Sequence, residues 1–368
     1  MKITVCGAGN SAMGMAADMA FMGHEVNMFE LSKFEANLIP IKEQGGIILN
    51  GPSQSGKNGF AALAEVTSDP SIAFKGVELI MFALPCFGHE AFMEVITPHL
   101  EDGQIMVFNT GYWASIRFQQ LLKKHKKKVT LAETSLHVYL CRKTGPAEAT
   151  VDAVKQKMLF CAMPSNKTEA VLAKLKPIYP QFVAAKQFFE IHFNNFNHMV
   201  HGPIALLNTG QIENLNEKPY YFYRDGATPR VCKVAEAIDK ERLAVAEAAK
   251  VETKSILEVQ TEMYGHMGAV GDTIYEAIKG NKADHSFNFD PASFVFGLAK
   301  EDVPYGFIPL ISIGEKLGVD CTMMKSIVNL QCAVCDTDFW TQGMTMEKLG
   351  FNGMSIDQIK EYLETGEK

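Results

Sequence analysis

The chain has 368 residues, enough for about two domains that each bury a core. Its 35 basic and 42 acidic residues leave a net charge of -7, which excludes a broad basic surface for nucleic acid and favours small-molecule partners. No stretch reaches the ~18 consecutive apolar residues of a membrane span, so we expect no membrane association. The eight scattered cysteines predict reduced thiols in a cytoplasmic protein.

The first half of the chain alternates short apolar runs with amphipathic stretches. The predicted strands are ITVCGAG, EVNMFE, VELIMFALP, QIMVFNTG, KVTLAE and MLFCAMP. Nearly continuous apolar strands separated by crossovers predict a parallel, doubly wound sheet that is covered on both faces. We therefore predict an α/β domain of the Rossmann type over residues 1–186.

The first predicted strand leads into a glycine turn and a helix, the pattern of a dinucleotide-binding site. Gly7 permits the tight turn, and Gly9 lets backbone amides approach a pyrophosphate at the positive end of the helix. Glu30 ends the next strand, about 20 residues further on, where a carboxylate accepts ribose hydroxyls and repels a 2′-phosphate. The expected coenzyme is NAD(H), with NADP(H) less favoured. The turn and helix residues expected at the coenzyme are Gly7, Gly9, Asn10, Ser11 and Ala12.

A second glycine pattern, Gly51 to Lys57, fits G-x-x-x-x-G-K. Asn58 stands where a phosphate-binding loop needs Ser or Thr, and the flanking strand and helix are missing. We therefore expect a flexible loop without bound nucleotide.

Two later strands end where ligands of open α/β sheets bind. Leu84 and Pro85 follow one of these strands and are expected to lie beside the ribose of the coenzyme. Asn109 follows the other and is expected near the nicotinamide, together with the large rings of Tyr112 and Trp113.

The second half of the chain, residues 187–368, carries apolar residues at helical spacing and predicts a mostly helical domain for substrate and catalysis. Two short patterns there raise the question of a metal. Cys332 and Cys335 form a C-x-x-C inside a helical pattern and are read as core thiols, while His198 and His201 lack the further ligands that zinc requires. We predict no metal site.

The whole chain resembles the octopine/nopaline, or opine, dehydrogenase family. The stretches that carry the resemblance are TLAETSLHVYLCR (130–142), NFNHMVHGPIALLNTGQIE (195–213), FYRDGATPRV (222–231) with EAIDKERLAVA (236–246), EDVPYGFIPL (301–310) and DTDFWTQGMTMEKLG (336–350). The resemblance implies a Rossmann domain, an all-helical second domain, and NAD(P)H-dependent reductive condensation of an amino acid with a 2-oxo acid. Its catalytic histidine falls on His201, with Asn197 as a substrate-pocket neighbour, and its acidic partner falls on Asp302, whereas His198 matches no family histidine.

Physical chemistry supports the same histidine and carboxylate. Hydride delivered to an imine or carbonyl carbon leaves charge on the heteroatom, which an imidazolium protonates or hydrogen-bonds. A carboxylate on the second ring nitrogen holds the tautomer and favours the charged form. We expect Asp302 to reach His201.

Three departures from the family concern the substrate side. Gly297 stands where the family commonly has an arginine suited to a carboxylate, so either Arg142, Arg224 or Lys300 replaces it or the substrate lacks one carboxylate. Tyr112 and Trp113 replace small residues and narrow the site or stack on a ligand. The third departure is Gly202 where the family has proline.

Two other functions stay open at this stage. One is a Rossmann reductase of a 2-oxo or hydroxy acid without an amine partner, and the other is a nicotinamide-binding sensor that has lost catalysis. A homodimer is compatible with the sequence.

Overall fold

The computed structural model describes residues 1–215, 218–283 and 291–367, with only the backbone described along 291–296. The chain divides into two compact units: the first comprises Met1–Ile191 and Glu361–Lys368, and the second comprises His192–Lys360. The domain boundary that we placed at residue 186 stays a prediction, and it differs from this division because the last eight residues group with the first unit.

The first unit contains an eight-stranded sheet, in the order β12-β11-β8-β7-β6-β1-β2-β5. All six strands predicted from sequence lie in it. Its strands are β1 (Lys2–Cys6), β2 (Glu25–Phe29), β5 (Glu65–Thr67), β6 (Leu79–Phe82), β7 (Ile105–Phe108), β8 (Thr130–Thr134), β11 (Met158–Met163) and β12 (Phe182–Ala184). β6 and β7 are buried at every position, as expected of strands covered on both faces.

Two strands, β11 and β12, run opposite to the direction that the prediction of a wholly parallel sheet required. From β5 to β8 each neighbouring pair is parallel, but β11 runs antiparallel to β8. The reason lies in the connection, because no crossover helix separates these strands and the chain passes through the strands β9 (Tyr139–Gly145) and β10 (Glu148–Val154) instead.

A second, four-stranded sheet was not predicted. It has the order β4-β3-β10-β9, with β3 at Gly46–Asn50 and β4 at Gly59–Ala62. The loop from 51 to 58 therefore joins two antiparallel strands. The expectation that no strand precedes this loop is wrong, because β3 ends at Asn50, but β4 follows where a phosphate-binding loop would lead into a helix. Asp18 holds the loop, because its carboxylate accepts hydrogen bonds from the backbone N–H groups of Gln54 (2.8 Å) and Ser55 (3.0 Å).

The helices of the first unit begin with α1, which follows the glycine turn. Gly23, at φ +87°, follows the end of α1. The helices are α1 (Asn10–Phe21), α2 (Ile39–Gln44), α3 (Pro70–Ala73), α4 (His89–Ile96), α5 (Ala114–Lys124) and α6 (Thr168–Leu175), with α7 (Phe189–Phe193) reaching the boundary between the units.

The described residues of the second unit form helices joined by loops, as predicted for a mostly helical domain. Its helices are α8 (Asn197–Leu207), α9 (Thr209–Glu213), α10 (Phe222–Gly226), α11 (Pro229–Ala248), α12 (Ile256–Tyr264), α13 (Ile274–Gly280), α14 (Pro291–Asp302), α15 (Ile308–Leu317), α16 (Thr322–Val334), α17 (Phe339–Gln342) and the start of α18 (Ile356–Thr365). A π-helical segment, Val303–Phe307, joins α14 to α15. None of the helices in the described segments combines the length and hydropathy needed to cross a bilayer.

Local sequence explains several helix starts in this unit. Thr228 caps α11 by accepting the N–H of Val231, and a proline occupies the first helical position. Ser255 with Glu258 forms a capping box at α12. Cys332 and Cys335, expected in the core, are only half-buried at the end of α16.

Candidate functional site

The glycine turn after β1 has the shape that a dinucleotide site requires. Gly7 has φ +106°, and a side chain there would lie 3.1 Å from the Ala83 carbonyl oxygen, so only glycine fits without strain. Gly9 caps α1 without any side-chain hydrogen bond, and a Cβ at Gly9 would meet open space. The first turn of α1 therefore presents backbone N–H groups and a positive helix end, which suit a pyrophosphate.

Glu30 lies beside this turn. Its carboxylate accepts the N–H of Ala8 at 3.2 Å and the N–H of Leu31 at 2.9 Å. Burial raises the pKa of Glu30, and these two backbone hydrogen bonds oppose the rise. A carboxylate has about four acceptor sites, so these two bonds leave the group with the capacity to accept ribose hydroxyls.

The other residues expected at the coenzyme differ in their surroundings. Ala12 is fully buried, as the close packing of helix and strand requires, and Ser11 is half-buried at the start of α1. Asn10 is exposed, and its side-chain oxygen accepts the N–H of Lys143 at 2.8 Å, which ties α1 to the second sheet.

The ends of β6 and β7 carry the remaining expected coenzyme residues. Leu84 is half-buried and Pro85 is exposed. Asn109 is fully buried, its Nδ2 donates to the Phe82 carbonyl at 3.2 Å, and its Oδ1 accepts from the Thr134 hydroxyl at 3.3 Å. The Asn109 side chain thus joins neighbouring strands, and its contact with a nicotinamide stays a prediction.

Tyr112 and Trp113 form a strained turn ahead of α5. Both have positive φ, 49° and 67°, in the left-handed region that such residues rarely adopt, and both are buried. The carboxylate of Glu133 in β8 accepts the N–H groups of Trp113 (3.2 Å) and Ser115 (2.6 Å), so this acid caps α5. Burial raises the pKa of Glu133 to about 7. Sequence reasoning missed Glu133, although an acid inside an apolar strand signals such a role.

Arg142, expected at the substrate, forms a bidentate ion pair within the second sheet. Its Nε and a terminal nitrogen lie 2.7 and 2.8 Å from the two carboxylate oxygens of Asp152. Arg224 is likewise engaged, with its Nε 2.9 Å from Asp225, and Lys300 is exposed on α14. Two of the three cations that could replace the arginine missing at Gly297 thus already have a carboxylate partner.

In the second unit, α8 and α14 bring together a histidine and a carboxylate that are 101 residues apart. His201 Nδ1 lies 2.9 Å from Asp302 Oδ2, which confirms the expected contact. Their side chains are only 10% and 4% exposed, so water screens the pair weakly. A carboxylate accepts but does not donate, so Nδ1 carries the hydrogen and Nε2 is the nitrogen available for proton exchange.

The second ring nitrogen of His201 also has a partner, and sequence reasoning missed it. Nε2 lies 2.9 Å from the hydroxyl of Tyr223, the second residue of α10. Phe222 packs edge-on against the rings of His201 and Tyr223, with centroids 5.8 and 5.1 Å away. Tyr223 belongs to FYRDGATPRV, a stretch that carries the family resemblance, but nothing in its spacing pointed to His201.

His198 and Asn197 lie on the same helix as His201. His198 is a core residue: it is buried against the edge of Phe307, and neither ring nitrogen has a hydrogen-bond partner among the described residues. Burial lowers the pKa of His198 to about 3, which keeps the ring uncharged. Asn197 is half-buried one turn before His201. The described residues contain no group of three side chains able to hold a metal ion.

A Rossmann-type unit with a coenzyme turn and a helical unit with a carboxylate-anchored histidine together define a nicotinamide-dependent dehydrogenase. The family model for the alpha-helical domain of NAD/NADP octopine/nopaline dehydrogenases matches residues 184–335. Opine dehydrogenase from Arthrobacter sp. (strain 1C) is 31% identical over 362 residues, with 98% of each chain covered. The chain belongs to the opine dehydrogenase family.

Solved structures show the same fold at lower identity. Octopine dehydrogenase in complex with NADH and agmatine superposes with a TM-score of 0.77 at 21% identity, covering 100% of this chain and 98% of that one. Its complex with NADH and pyruvate gives a TM-score of 0.74 at 20% identity, with the same coverage. Yersinopine dehydrogenase bound to NADP+ gives 0.70 at 14% identity, with 99% and 98% covered. The predicted family, fold class and enzyme class, an NAD(P)-dependent dehydrogenase, are confirmed.

Proposed function

We propose that this protein is an NAD(H)-dependent opine dehydrogenase, which joins an amine or amino acid to a 2-oxo acid by reducing the imine between them, or runs the reverse oxidation. The observation that carries this proposal is the His201 and Asp302 pair in a chain of this family. The proposal favours an amine partner over a reductase of 2-oxo acids alone, because family relatives are opine dehydrogenases.

His201 is the proposed acid and base. In the reductive direction it delivers a proton to the imine nitrogen as hydride reaches the neighbouring carbon, and in the oxidative direction it accepts the proton of the secondary amine. Asp302 keeps the hydrogen on Nδ1 and stabilises the imidazolium by its charge at 2.9 Å. The nicotinamide supplies the hydride when it is bound.

The coenzyme is proposed to be NAD(H) and to bind the first unit. The turn at Gly7 and Gly9 faces the pyrophosphate, and Glu30 accepts the ribose hydroxyls and repels the 2′-phosphate of NADP(H). Octopine dehydrogenase has been solved with NADH, which agrees with this choice, whereas yersinopine dehydrogenase takes NADP+. The proposed coenzyme contacts are completed by Asn10, Ser11, Ala12, Leu84, Pro85 and Asn109.

The residues that bind the substrate are proposed in less detail. Asn197, Tyr112, Trp113 and Arg142 remain the candidate contacts, and Arg142 would have to leave Asp152 to take part. Pyruvate and agmatine, which octopine dehydrogenase binds, are the first substrates to test because they pair a 2-oxo acid with an amine that has no carboxylate.

An amine-dependence assay tests the proposed reaction. NADH oxidation is measured with pyruvate alone and with pyruvate plus a panel of amines and amino acids that includes agmatine and L-arginine. Oxidation should require the amine. Turnover with pyruvate alone at the same rate would favour the reductase without an amine partner, and no single-turnover hydride transfer with any pair would favour the sensor.

A substitution tests the assigned histidine. His201→Ala should lower kcat by roughly 10²- to 10⁴-fold, the usual contribution of general acid and base catalysis. The NADH dissociation constant should stay unchanged, because the coenzyme turn belongs to the first unit. His266→Ala, an exposed histidine of the same unit, is the matched control. Unchanged turnover in His201→Ala would reject the assignment.

The finer expectations about cell location and assembly are also proposals. None of the eight cysteines forms a disulfide, which supports a reducing cytoplasm. The assembly is proposed to be a homodimer, with which the sequence is compatible. Light scattering of the purified protein measures the assembly.

A further inference from the structure

Tyr223 occupies the one ring nitrogen through which His201 can exchange a proton. Asp302 holds Nδ1 at 2.9 Å, so the hydrogen of neutral His201 lies on Nδ1 and Nε2 is an acceptor. The Tyr223 hydroxyl, 2.9 Å from Nε2, therefore donates to it. Carboxylate, imidazole and phenol thus form one hydrogen-bonded chain.

The segment that carries Tyr223 is fixed against the helix that carries His201. The side chain of Asn208, at the end of α8, donates to the carbonyl oxygens of Ile204 (2.8 Å) and Gly226 (3.0 Å). A Cβ on Gly226 would lie 2.7 Å from Ile204 Cγ2, so α10 and α8 approach as closely as glycine allows. Asp225 also accepts the Tyr221 N–H at 2.9 Å, which closes the turn of α10.

The ring of Tyr223 is held as well. Phe222 packs edge-on against the Tyr223 ring at 5.1 Å and against the His201 ring at 5.8 Å. Because both its segment and its ring are held by packing and hydrogen bonds, we expect Tyr223 to keep its contact with His201 when substrate binds.

We propose that Tyr223 is a catalytic residue that carries the proton between the substrate nitrogen and His201. In the oxidative direction the substrate N–H bond breaks and an O–H bond forms at Tyr223, while the original Tyr223 O–H bond breaks and an Nε2–H bond forms. Two protons move and the net result is one proton transferred from the substrate nitrogen to Nε2, so Tyr223 is regenerated and the imidazolium is balanced by Asp302. The electron pair of the broken N–H bond forms the C=N bond as the neighbouring carbon loses hydride. The reductive direction reverses these transfers. This inference rests on the proposed function of His201.

Tyr223→Phe tests the relay, because it removes the hydroxyl and keeps the ring against Phe222. With NADH, pyruvate and the fastest amine of the panel, kcat should fall by at least about 10-fold, within the effect of general acid and base catalysis. The KM for pyruvate should stay unchanged. Tyr221→Phe, which removes a hydroxyl two residues earlier, is the matched control and should keep wild-type kcat.

A proton inventory separates a relay from a structural role. The dependence of kcat on the deuterium content of the solvent should curve for the wild type, since two protons move together, and become linear for Tyr223→Phe. An unchanged kcat, or a lower kcat with an unchanged inventory, would overturn the relay. The His201→Ala variant distinguishes the relay from the proposed role of His201. If His201→Ala loses turnover while Tyr223→Phe keeps full activity, only the relay is rejected.

Discussion

Replacing Asp302 by asparagine tests the charge that supports His201. Asp302→Asn keeps the shape of the side chain but removes its negative charge and allows its amide to donate to Nδ1, which favours the wrong tautomer of the ring. The Nδ1 to Oδ2 distance is 2.9 Å and the side chains are 10% and 4% exposed. Charges about 4 Å apart at an effective dielectric constant of about 20 interact by about 4 kcal/mol. If the imidazolium forms in the transition state, kcat should fall by about 10³-fold.

The assay measures kcat for NADH oxidation with pyruvate and the best amine, together with the NADH dissociation constant by fluorescence titration. The dissociation constant should stay constant, since Asp302 and the coenzyme turn belong to different units. Asp272→Asn, an exposed aspartate of the same unit, should behave as wild type. A fall in kcat of less than about 10-fold, equal to about 1.4 kcal/mol, would refute the idea that Asp302 stabilises a charged ring.

Two further predictions concern buried acids of the first unit. Glu30→Gln should weaken NADH binding by about 10-fold, because a hydrogen bond to a charged group contributes roughly 1.5–3 kcal/mol, and it should strengthen NADPH binding. Fluorescence titrations with each coenzyme check this, with Glu25→Gln as the control variant. Unchanged affinity for both coenzymes would contradict the prediction. Burial raises the pKa of Glu133 from 4.5 to about 7, so the folded state binds this proton more tightly than the unfolded state. The bound proton adds to the free energy of unfolding below about pH 4.5, and this contribution is lost as the pH rises through about 7. Over that range the free energy of unfolding should fall by up to roughly 3 kcal/mol. The free energy of unfolding of Glu133→Gln, measured by urea unfolding, should lack this pH dependence. If it changes with pH as steeply in the variant as in the wild type, the prediction is wrong.

The strands and the coenzyme turn could be predicted because their signals are local. β6 and β7 are apolar at each position, and the turn needs a positive φ at Gly7, which glycine supplies. The second sheet escaped prediction because its strands come from distant parts of the chain: β10, which forms a hairpin with β9, pairs with β3 near the start of the chain, although burial alternates regularly along β10. The direction of β11 also depends on this hairpin.

The substrate side could be predicted least. Arg142 was a reasonable carboxylate receptor by residue type, but its pairing with Asp152 depends on which strands are neighbours. Glu133 looked like part of a strand, and only packing places its carboxylate under the start of α5.

By itself the sequence determined a glycine turn, an acid about 20 residues beyond it, a helical second half and a histidine in a family stretch, since each depends on backbone preference or periodicity over a short span. Only the tertiary structure decided what meets that histidine. His201 contacts Asp302 across 101 residues and Tyr223 across 22, and both contacts arise from the packing of α8 against other helices. Packing depends on side-chain shapes from distant parts of the chain, so no local pattern records that Nε2 of His201 faces a phenol.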